Sequence, residues 1–220
     1  MSFTLINARP SPFGRKVAIA LIEKGLAYEV QYDVPWGEDT CTPEHSPFRQ
    51  LPILITDQHD KIYDSTYILE WLEQVHPDPA LLPRDPTALL YQKLIQMLGE
   101  RLMETAQTLI FEVQRDAPSA AWVARQSAKI VGGLAELDRQ VAGRAISAGQ
   151  PLMLGDIAAA TTLLAIEFAV AQGYSPDLDA LRWRSRHPAL GVYADMLDAT
   201  PAFRQTAPDR MDVDLGATVR

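Results

Sequence analysis

Ser11 begins the stretch of this sequence whose residue types could do chemistry. It is followed by Pro12 and lies between a short apolar run, Phe3 to Ile6, and an amphipathic run, Val17 to Glu23. Serine is a preferred N-cap and proline is preferred at the first helical position, so the pair predicts a helix start after a strand. The free N–H groups of a helix start favour an anion. If that anion is a thiolate, the Ser11 hydroxyl could donate a hydrogen bond to it; the alternative is that Ser11 only caps the helix.

Pro52 is a second candidate, because it directly precedes a short apolar strand, Ile53 to Thr56. A cis bond before this proline would leave the backbone of Leu51 free to pair with a ligand. The alternative is an ordinary proline at a strand start, since cis bonds are uncommon even before proline.

Asp64 and Ser65 open the third predicted helix of the first half of the chain. The free N–H groups of that helix start, together with the Ser65 hydroxyl, suit a carboxylate ligand. The Asp64 carboxylate would add an acceptor for an ammonium group. The alternative is plain helix capping.

The other polar residues predict no further catalytic site. Cys41 has no helix start or paired histidine beside it, and a catalytic thiolate needs such surroundings. Glu100 and Glu104 share a helix face at i, i+4, and we expect both to be solvated. Metal-ligand spacing is absent among the histidines, which are His45, His59, His76 and His187.

The elements that position these residues form two halves, and the first has the order β-α-β, an irregular stretch, then β-β-α. Strand, helix and strand over about thirty residues indicate a βαβ unit with parallel strands. Gly25 ends the first helix and allows Leu26 to contact Leu21 in a Schellman motif. The predicted strands are Phe3 to Asn7, Tyr28 to Tyr32, Ile53 to Thr56 and Lys61 to Tyr63.

Four prolines between His76 and Thr87 forbid a helix or a central strand and predict a linker between domains 1–78 and 87–220. Beyond the linker the strand signal disappears and helical periodicity takes over. One segment is apolar on every face and ends at Gly173, so it predicts a buried central helix. The predicted helices start near Leu90 and include Ile130 to Val141, Ile157 to Ala171, Leu178 to Arg184 and Pro188 to Leu197.

The composition limits the cellular setting of this 220-residue chain. A formal net charge of -8 argues against a nucleic-acid surface, which needs clustered Lys and Arg. One cysteine cannot form an internal disulfide, which fits a reducing compartment. The N-terminus lacks the pattern of a signal peptide, and Ile157 to Ala171 looks too short and too polar to span a bilayer. We therefore expect a soluble cytoplasmic protein with no nucleic-acid or membrane partner.

Three segments together resemble the cytosolic glutathione transferase family, and the resemblance covers nearly the whole length. They are the helix start Ser11 to Val17, the proline segment Ser46 to Leu54 and the pair Asp64-Ser65. The first is similar to the active-site start of the serine-type bacterial and plant members, and the second to the cis-proline segment. The third is similar to the pair that holds the γ-glutamyl end of glutathione. The resemblance implies an α/β thioredoxin-like N-terminal domain (βαβ-ββα) followed by an all-α helical bundle.

The resemblance also implies roles for individual residues. Ser11 would be the catalytic hydroxyl, glutathione would be the co-substrate, and no metal would be needed. The residues implied to bind glutathione are Phe13, Gln50, Leu51, Pro52, Asp64 and Ser65. The residues implied to line the electrophile site are Phe13, Glu104, Thr108 and Phe111.

The function implied by the resemblance is detoxification by a homodimer that adds the glutathione thiolate to a small hydrophobic electrophile. One alternative is a glutathione-dependent dehalogenase, isomerase or ether-cleaving enzyme on the same fold. Another is a non-catalytic glutathione- or ligand-binding stress protein. The absence of a Ser-Ser-Cys start weakens a maleylacetoacetate isomerase reading, and the absence of a cysteine at position 11 weakens a glutaredoxin-like one.

The central helix departs from the family pattern at its start. Family members usually carry a Ser/Thr-x-x-Asp capping box there, and this chain has Met153 in place of the hydroxyl residue, with Asp156 three residues later. Because Met153 cannot accept a backbone N–H, Met153→Ser is expected to stabilise the protein by about 0.5–1 kcal/mol.

Overall fold

The N-terminal half contains a four-stranded mixed sheet in the order β2-β1-β3-β4. The computed structural model describes residues 2–144, 151–176, 178–211 and 215. Strand β1 pairs in parallel with β2 and antiparallel with β3, which pairs antiparallel with β4. The parallel pairing of β1 with β2 confirms the predicted βαβ unit, and β3 and β4 each end one residue earlier than predicted. The strands are β1 Phe3–Asn7, β2 Tyr28–Tyr32, β3 Ile53–Ile55 and β4 Lys61–Ile62.

Three helices complete this half: α1 Pro12–Glu23, α2 Thr42–His45 and α3 Ser65–Val75. Helix α1 ends as predicted at Gly25, where φ is +66°. The Gly25 and Leu26 N–H groups donate to the carbonyls of Ile22 and Leu21, both at 2.9 Å, which completes the Schellman motif. Helix α2 lies in the stretch that was predicted to be irregular.

The linker contains no helix or strand between residues 76 and 85, as its prolines predicted. Asp85 caps the next helix with Pro86 at its first position, so that helix begins one residue before the predicted domain start. The predicted helix Leu178 to Arg184 is wrong as one element: it is a 3₁₀ turn, Asp179–Leu181, then a separate short helix, broken by the non-helical backbone of Arg182. The helices are α4 Pro86–Glu112, α5 Ala120–Val141, α6 Leu154–Ala171, α7 Trp183–Arg186, α8 Pro188–Asp198 and α9 Pro201–Gln205.

Helix α6 is the buried centre of the second half, as predicted. Helices α1, α4 and α8 all pack against it. Helix α4 approaches it closely at Gly99, where a Cβ would lie 2.8 Å from the Ala158 carbonyl group. By length and composition, α6 is the one helix in the described part of the chain that could cross a membrane, contrary to the prediction. Because 72% of it is buried inside the fold, it has the environment of a core helix.

The start of α6 is not left without a cap. The Gly155 N–H donates to the side-chain carbonyl of Gln92 at 3.1 Å, and the Leu154 N–H donates to the Leu81 carbonyl at 2.9 Å. Gln92 is buried in α4. A residue from another helix therefore does the work expected of the missing serine at Met153.

The two halves contact each other along α1. Arg15, buried in α1, donates to the Phe203 carbonyl at 3.0 Å and pairs with Asp198 at 3.3 Å. At the other end of the helix, Glu23 accepts the Leu152 N–H at 3.0 Å. The first turn of α1 is thereby held against the helical half, and an open cleft lies beside it.

Candidate active site

The cleft between the two halves has a volume of about 740 Å³. One wall is formed by the start of α1, the proline segment and the start of α3, and the other by α4, α6 and the C-terminal segment. Nine of the ten residues that the sequence analysis singled out line it: Ser11, Phe13, Gln50, Leu51, Pro52, Asp64, Ser65, Glu104 and Phe111.

Thr108 is the predicted site residue that does not line the cleft. Its side chain is exposed, and its hydroxyl donates to the Glu104 carbonyl in its own helix at 2.8 Å. Its neighbour Gln107 lines the cleft instead. The helical rotation places position 108 outside the wall that Glu104 and Phe111 form.

Ser11 is the N-cap of α1, as predicted. Its Oγ accepts the Gly14 N–H at 3.3 Å, and it is partly buried at the edge of the cleft. A serine hydroxyl that accepts one hydrogen bond still carries a proton to donate. Capping and donation to a ligand are therefore compatible at this position.

Pro52 follows a cis Leu51–Pro52 bond, which confirms the prediction for this segment. Both residues line the cleft, and β3 begins directly after them. The bond lies on the same wall as Ser11 and the start of α3.

Asp64 caps α3 more fully than predicted. One of its carboxylate oxygens accepts the N–H groups of Thr66 and Tyr67, both at 3.0 Å. The prediction that several N–H groups of this helix start are open to a ligand is therefore wrong for these two. The Ser65 N–H and the hydroxyls of Ser65 and Thr66 are donors of this turn that Asp64 does not use, and Ser65 is buried in the cleft wall.

Lys16 is a site residue that the sequence analysis missed. Its side chain is 3% exposed, and its Nζ lies 2.5 Å from a carboxylate oxygen of Glu100 and 3.5 Å from the Thr66 hydroxyl. Burial lowers the pKa of Lys16, and the charge of Glu100 partly opposes that shift. The expectation that Glu100 is solvated is wrong, because its side chain is only 17% exposed and pairs with a lysine from the other half of the chain.

Aromatic side chains dominate the opposite end of the cleft. Trp36 and Phe111 meet edge to face with ring centroids 6.2 Å apart, and Phe168 and Tyr174 lie 6.1 Å apart. Aliphatic and sulfur-containing side chains continue this wall, among them Met103, Ile110, Met211 and Leu215. The surface suits an apolar group with flat faces.

Trp36 reaches the cleft on a loop that Asp33 organises. The Asp33 carboxylate accepts six hydrogen bonds of 2.6–3.4 Å from backbone and side-chain donors of four residues, which are Val34, Thr40, Cys41 and Thr42. Burial raises the pKa of Asp33, but these hydrogen bonds lower it by more than burial raises it, so the net shift is downward. Burial and the nearby Asp33 raise the pKa of the Cys41 thiol, which disfavours a reactive thiolate there.

The described residues contain no cluster of three or more His, Cys, Asp or Glu side chains that could hold a metal ion.

Comparison with known proteins identifies the class to which this fold and cleft belong. The family model described as "Glutathione S-transferase, N-terminal domain" matches residues 5–80. A glutathione S-transferase of Methylobacterium radiotolerans, solved in complex with glutathione sulfonate, is 41% identical with a TM-score of 0.87. The alignment covers 97% of this chain and 98% of that one. The chain belongs to the glutathione S-transferase family, with a thioredoxin-like N-terminal domain and a helical C-terminal domain.

Two curated relatives show how varied the similar proteins are. The "Uncharacterized GST-like protein YibF" of Escherichia coli is 33% identical over 51% of this chain, and the match spans 56% of that relative. A "Probable maleylacetoacetate isomerase" of Caenorhabditis elegans is 26% identical, and the match covers 92% of each chain. Membership of the family therefore does not by itself name the reaction.

Proposed function

We propose that this protein is a serine-type glutathione transferase that adds the thiolate of glutathione to a small hydrophobic electrophile. The observation that carries the proposal is the shared cleft: the Ser11 hydroxyl at the start of α1 lies on the same wall as Pro52 and Ser65. The relative from Methylobacterium radiotolerans, similar over nearly its whole length, was solved with a glutathione derivative bound.

Glutathione would lie along this wall with its thiol toward Ser11. The backbone of Leu51, before the cis bond, would pair with the cysteinyl residue, and Gln50 and Phe13 would flank it. The γ-glutamyl end would reach Asp64 and Ser65, whose carboxylate and hydroxyl match its ammonium and carboxylate groups.

The energetic demand on Ser11 is modest. The pKa of the glutathione thiol should be about 8.5, like that of a free cysteine, and lowering that pKa by about two units needs about 2.7 kcal/mol. A hydrogen bond to a charged group contributes about 1.5–3 kcal/mol and a helix start about 0.3–1 kcal/mol, so Ser11 and α1 suffice together. The thiolate fraction at neutral pH would rise about 25-fold, while its intrinsic reactivity would fall about 6- to 10-fold.

Most of the acceleration must then come from holding the electrophile beside the sulfur. The sulfur lone pair forms the new S–C bond, the leaving group or the adjacent atom takes the displaced electron pair, and the thiol proton passes to solvent. The aromatic wall of Trp36, Phe111 and Phe168 would bind the apolar body of that electrophile. Glu104 and Gln107 are polar side chains of α4 that also line the cleft.

A glutathione-dependent isomerase is the second candidate, and the similarity to the nematode maleylacetoacetate isomerase favours it. Isomerisation would use the same thiolate but would return glutathione after each turnover. The sequence Pro10-Ser11-Pro12 in place of a Ser-Ser-Cys start weighs against that candidate.

We also propose a cytoplasmic homodimer. Phe48 is 73% exposed on the proline segment, and Leu90 is 72% exposed on α4. In a two-fold dimer, the first half of one chain would contact the second half of the other. Phe48 of each chain would then be buried against the surface around Leu90 of its partner. Light scattering at micromolar concentration should give the mass of two chains, and a stable single-chain mass would refute the dimer.

The experiment that tests the function is a panel of halides, epoxides, quinones and peroxides assayed with glutathione, with maleylacetoacetate included as an isomerase substrate. Formation of a glutathione conjugate, with loss of free glutathione in proportion to the product, supports the transferase. Product formed without net loss of glutathione supports the isomerase. Binding of glutathione without turnover of any compound would contradict both enzymatic assignments and leave a ligand-binding protein.

A further inference from the structure

Three carboxylates line the end of the cleft at the start of α3: Asp64, Glu100 and Glu104. Glu104 is half exposed and pairs with Arg101 at 2.6 Å, so solvent and that cation screen it. Asp64 and Glu100 remain beside the place where a carboxylate ligand would enter. Negative charges beside a ligand carboxylate repel it, most strongly where solvent screens them least, as at Glu100, whose side chain is 17% exposed.

The start of α3 offers few donors of its own to such a ligand. Asp64 already accepts the N–H groups of Thr66 and Tyr67, so the Ser65 N–H and the hydroxyls of Ser65 and Thr66 are what this turn can still give. These neutral donors face two nearby negative charges. A further positive group is needed for a carboxylate to bind there.

Lys16 supplies that group. Its ammonium carries three N–H donors. One reaches Glu100 at 2.5 Å, and a second approaches the Thr66 hydroxyl at 3.5 Å, which is long for a hydrogen bond. The ammonium therefore sits against the first turn of α3 with donor capacity that Glu100 alone does not use.

We propose that Lys16 binds the α-carboxylate at the γ-glutamyl end of glutathione, and that Glu100 holds its ammonium at the start of α3. This inference rests on the proposed glutathione site and adds a residue to it. In this arrangement Ser65 and Lys16 contact the same carboxylate, while Asp64 remains available to the ligand's ammonium group.

The chain contains a matched ion pair that lacks this role. Lys93 on α4 pairs with Glu70 on α3 at 3.0 Å, so it also joins the two halves. Neither residue lines the cleft, and both are more exposed than Lys16 and Glu100. A pair that only ties the halves together should behave like this control.

The test compares glutathione with γ-aminobutyryl-cysteinylglycine, which lacks the α-carboxylate, by isothermal titration calorimetry. The variant is Lys16→Met/Glu100→Gln, because removing Lys16 alone would leave a buried carboxylate without its partner. The control is Lys93→Met/Glu70→Gln. Lys16→Arg, which keeps the positive charge, provides a second variant.

Loss of one charge-assisted hydrogen bond should weaken glutathione binding by the Lys16 and Glu100 double variant about tenfold or more. Its affinity for the analogue should stay unchanged, the control should alter neither affinity, and Lys16→Arg should keep a preference for glutathione. An equal loss for both peptides, or no loss for glutathione, would overturn the role of Lys16 while leaving the glutathione site intact. If the wild-type protein binds neither peptide, the proposed function itself fails, and the role of Lys16 fails with it.

Discussion

Replacing Gln92 with leucine should destabilise the protein by removing the acceptor at the start of α6. The Gln92 side chain is buried and accepts the Gly155 N–H at 3.1 Å. Leucine has a similar volume but no acceptor, so the Gly155 N–H would remain buried without a partner. Leaving a buried donor unsatisfied costs about 1–3 kcal/mol.

The same hydrogen bond changes what Met153→Ser should do. An N-cap serine accepts the second or third N–H of its helix, and Gln92 already fills the second one, that of Gly155. The expected gain in the wild-type background therefore falls below about 0.5 kcal/mol, less than the missing capping box alone suggests. In the Gln92→Leu background the freed N–H is available to the new serine, and the gain should reach about 0.5–2 kcal/mol.

The assay is a double-mutant cycle of thermal and denaturant unfolding on the four proteins. Each kcal/mol should move Tm by about 2–4 °C in a chain of this size. We expect the serine to stabilise the Gln92→Leu protein more than the wild type, so the coupling energy should be stabilising and partly offset the loss caused by Gln92→Leu. Equal effects of Met153→Ser in both backgrounds would show that Gln92 does not act as the cap of α6.

Three further predictions concern α4, α8 and the loop that carries Trp36. Gly99→Ala should cost about 1–3 kcal/mol in denaturant unfolding, because the added Cβ would lie 2.8 Å from the Ala158 backbone, and an unchanged midpoint would contradict that close approach. Tyr193→Phe removes a buried 2.7 Å hydrogen bond to a carboxylate in α6 and should cost about 1.5–3 kcal/mol at neutral pH. Burial, followed by that carboxylate, raises the pKa of Tyr193 well above 10.0, so its contribution is complete below pH 10.0 and is lost as pH rises above it; unfolding of the variant should depend less on pH in that range. Asp33→Ala should loosen the loop and raise KM for the electrophile more than KM for glutathione; since the pKa of Asp33 is lowered from 3.8, the wild-type advantage in stability should fade as pH falls below that value.

The features predicted correctly from the sequence are those fixed by neighbouring residues. Ser11 before Pro12 starts a helix, and Gly25 followed by Leu26 ends one, because caps depend on two or three residues in a row. The parallel pairing of the first two strands followed from the strand-helix-strand order of a βαβ unit, whereas the spatial order of all four strands was not predicted. The placement of most predicted residues in one cleft followed from the family resemblance.

The errors arise where partners lie far apart in the chain. Lys16 and Glu100 are 84 residues apart, so no local pattern shows that they form a buried pair. The cap from Gln92 reaches Gly155 across 63 residues for the same reason. Thr108 was misplaced because its spacing from Glu104 suits the same helix face, whereas the orientation of that face depends on how α4 packs.

Trp36 was missed because it lies in a stretch rich in turn residues, between Pro35 and Gly37, that carries no periodic pattern. Its position depends on the carboxylate of Asp33, which collects the donors of the loop. An aspartate followed within nine residues by two threonines is a signal that could have indicated an ordered loop.

The thiol pKa of bound glutathione in the wild type and in Ser11→Ala tests the central assignment most directly. It is read from thiolate absorbance against pH, with S-methylglutathione as the blank for tyrosine and Cys41. We predict a pKa about two units below 8.5 in the wild type and, because the start of α1 remains, a value less than about 0.7 units below 8.5 in Ser11→Ala. Turnover should fall about threefold from the smaller thiolate fraction alone and about ten- to a thousand-fold in total, because the hydroxyl also holds the sulfur in position for attack, while glutathione affinity changes far less. Identical titration curves and identical turnover in the two proteins would show that Ser11 only caps α1 and does not activate the thiol.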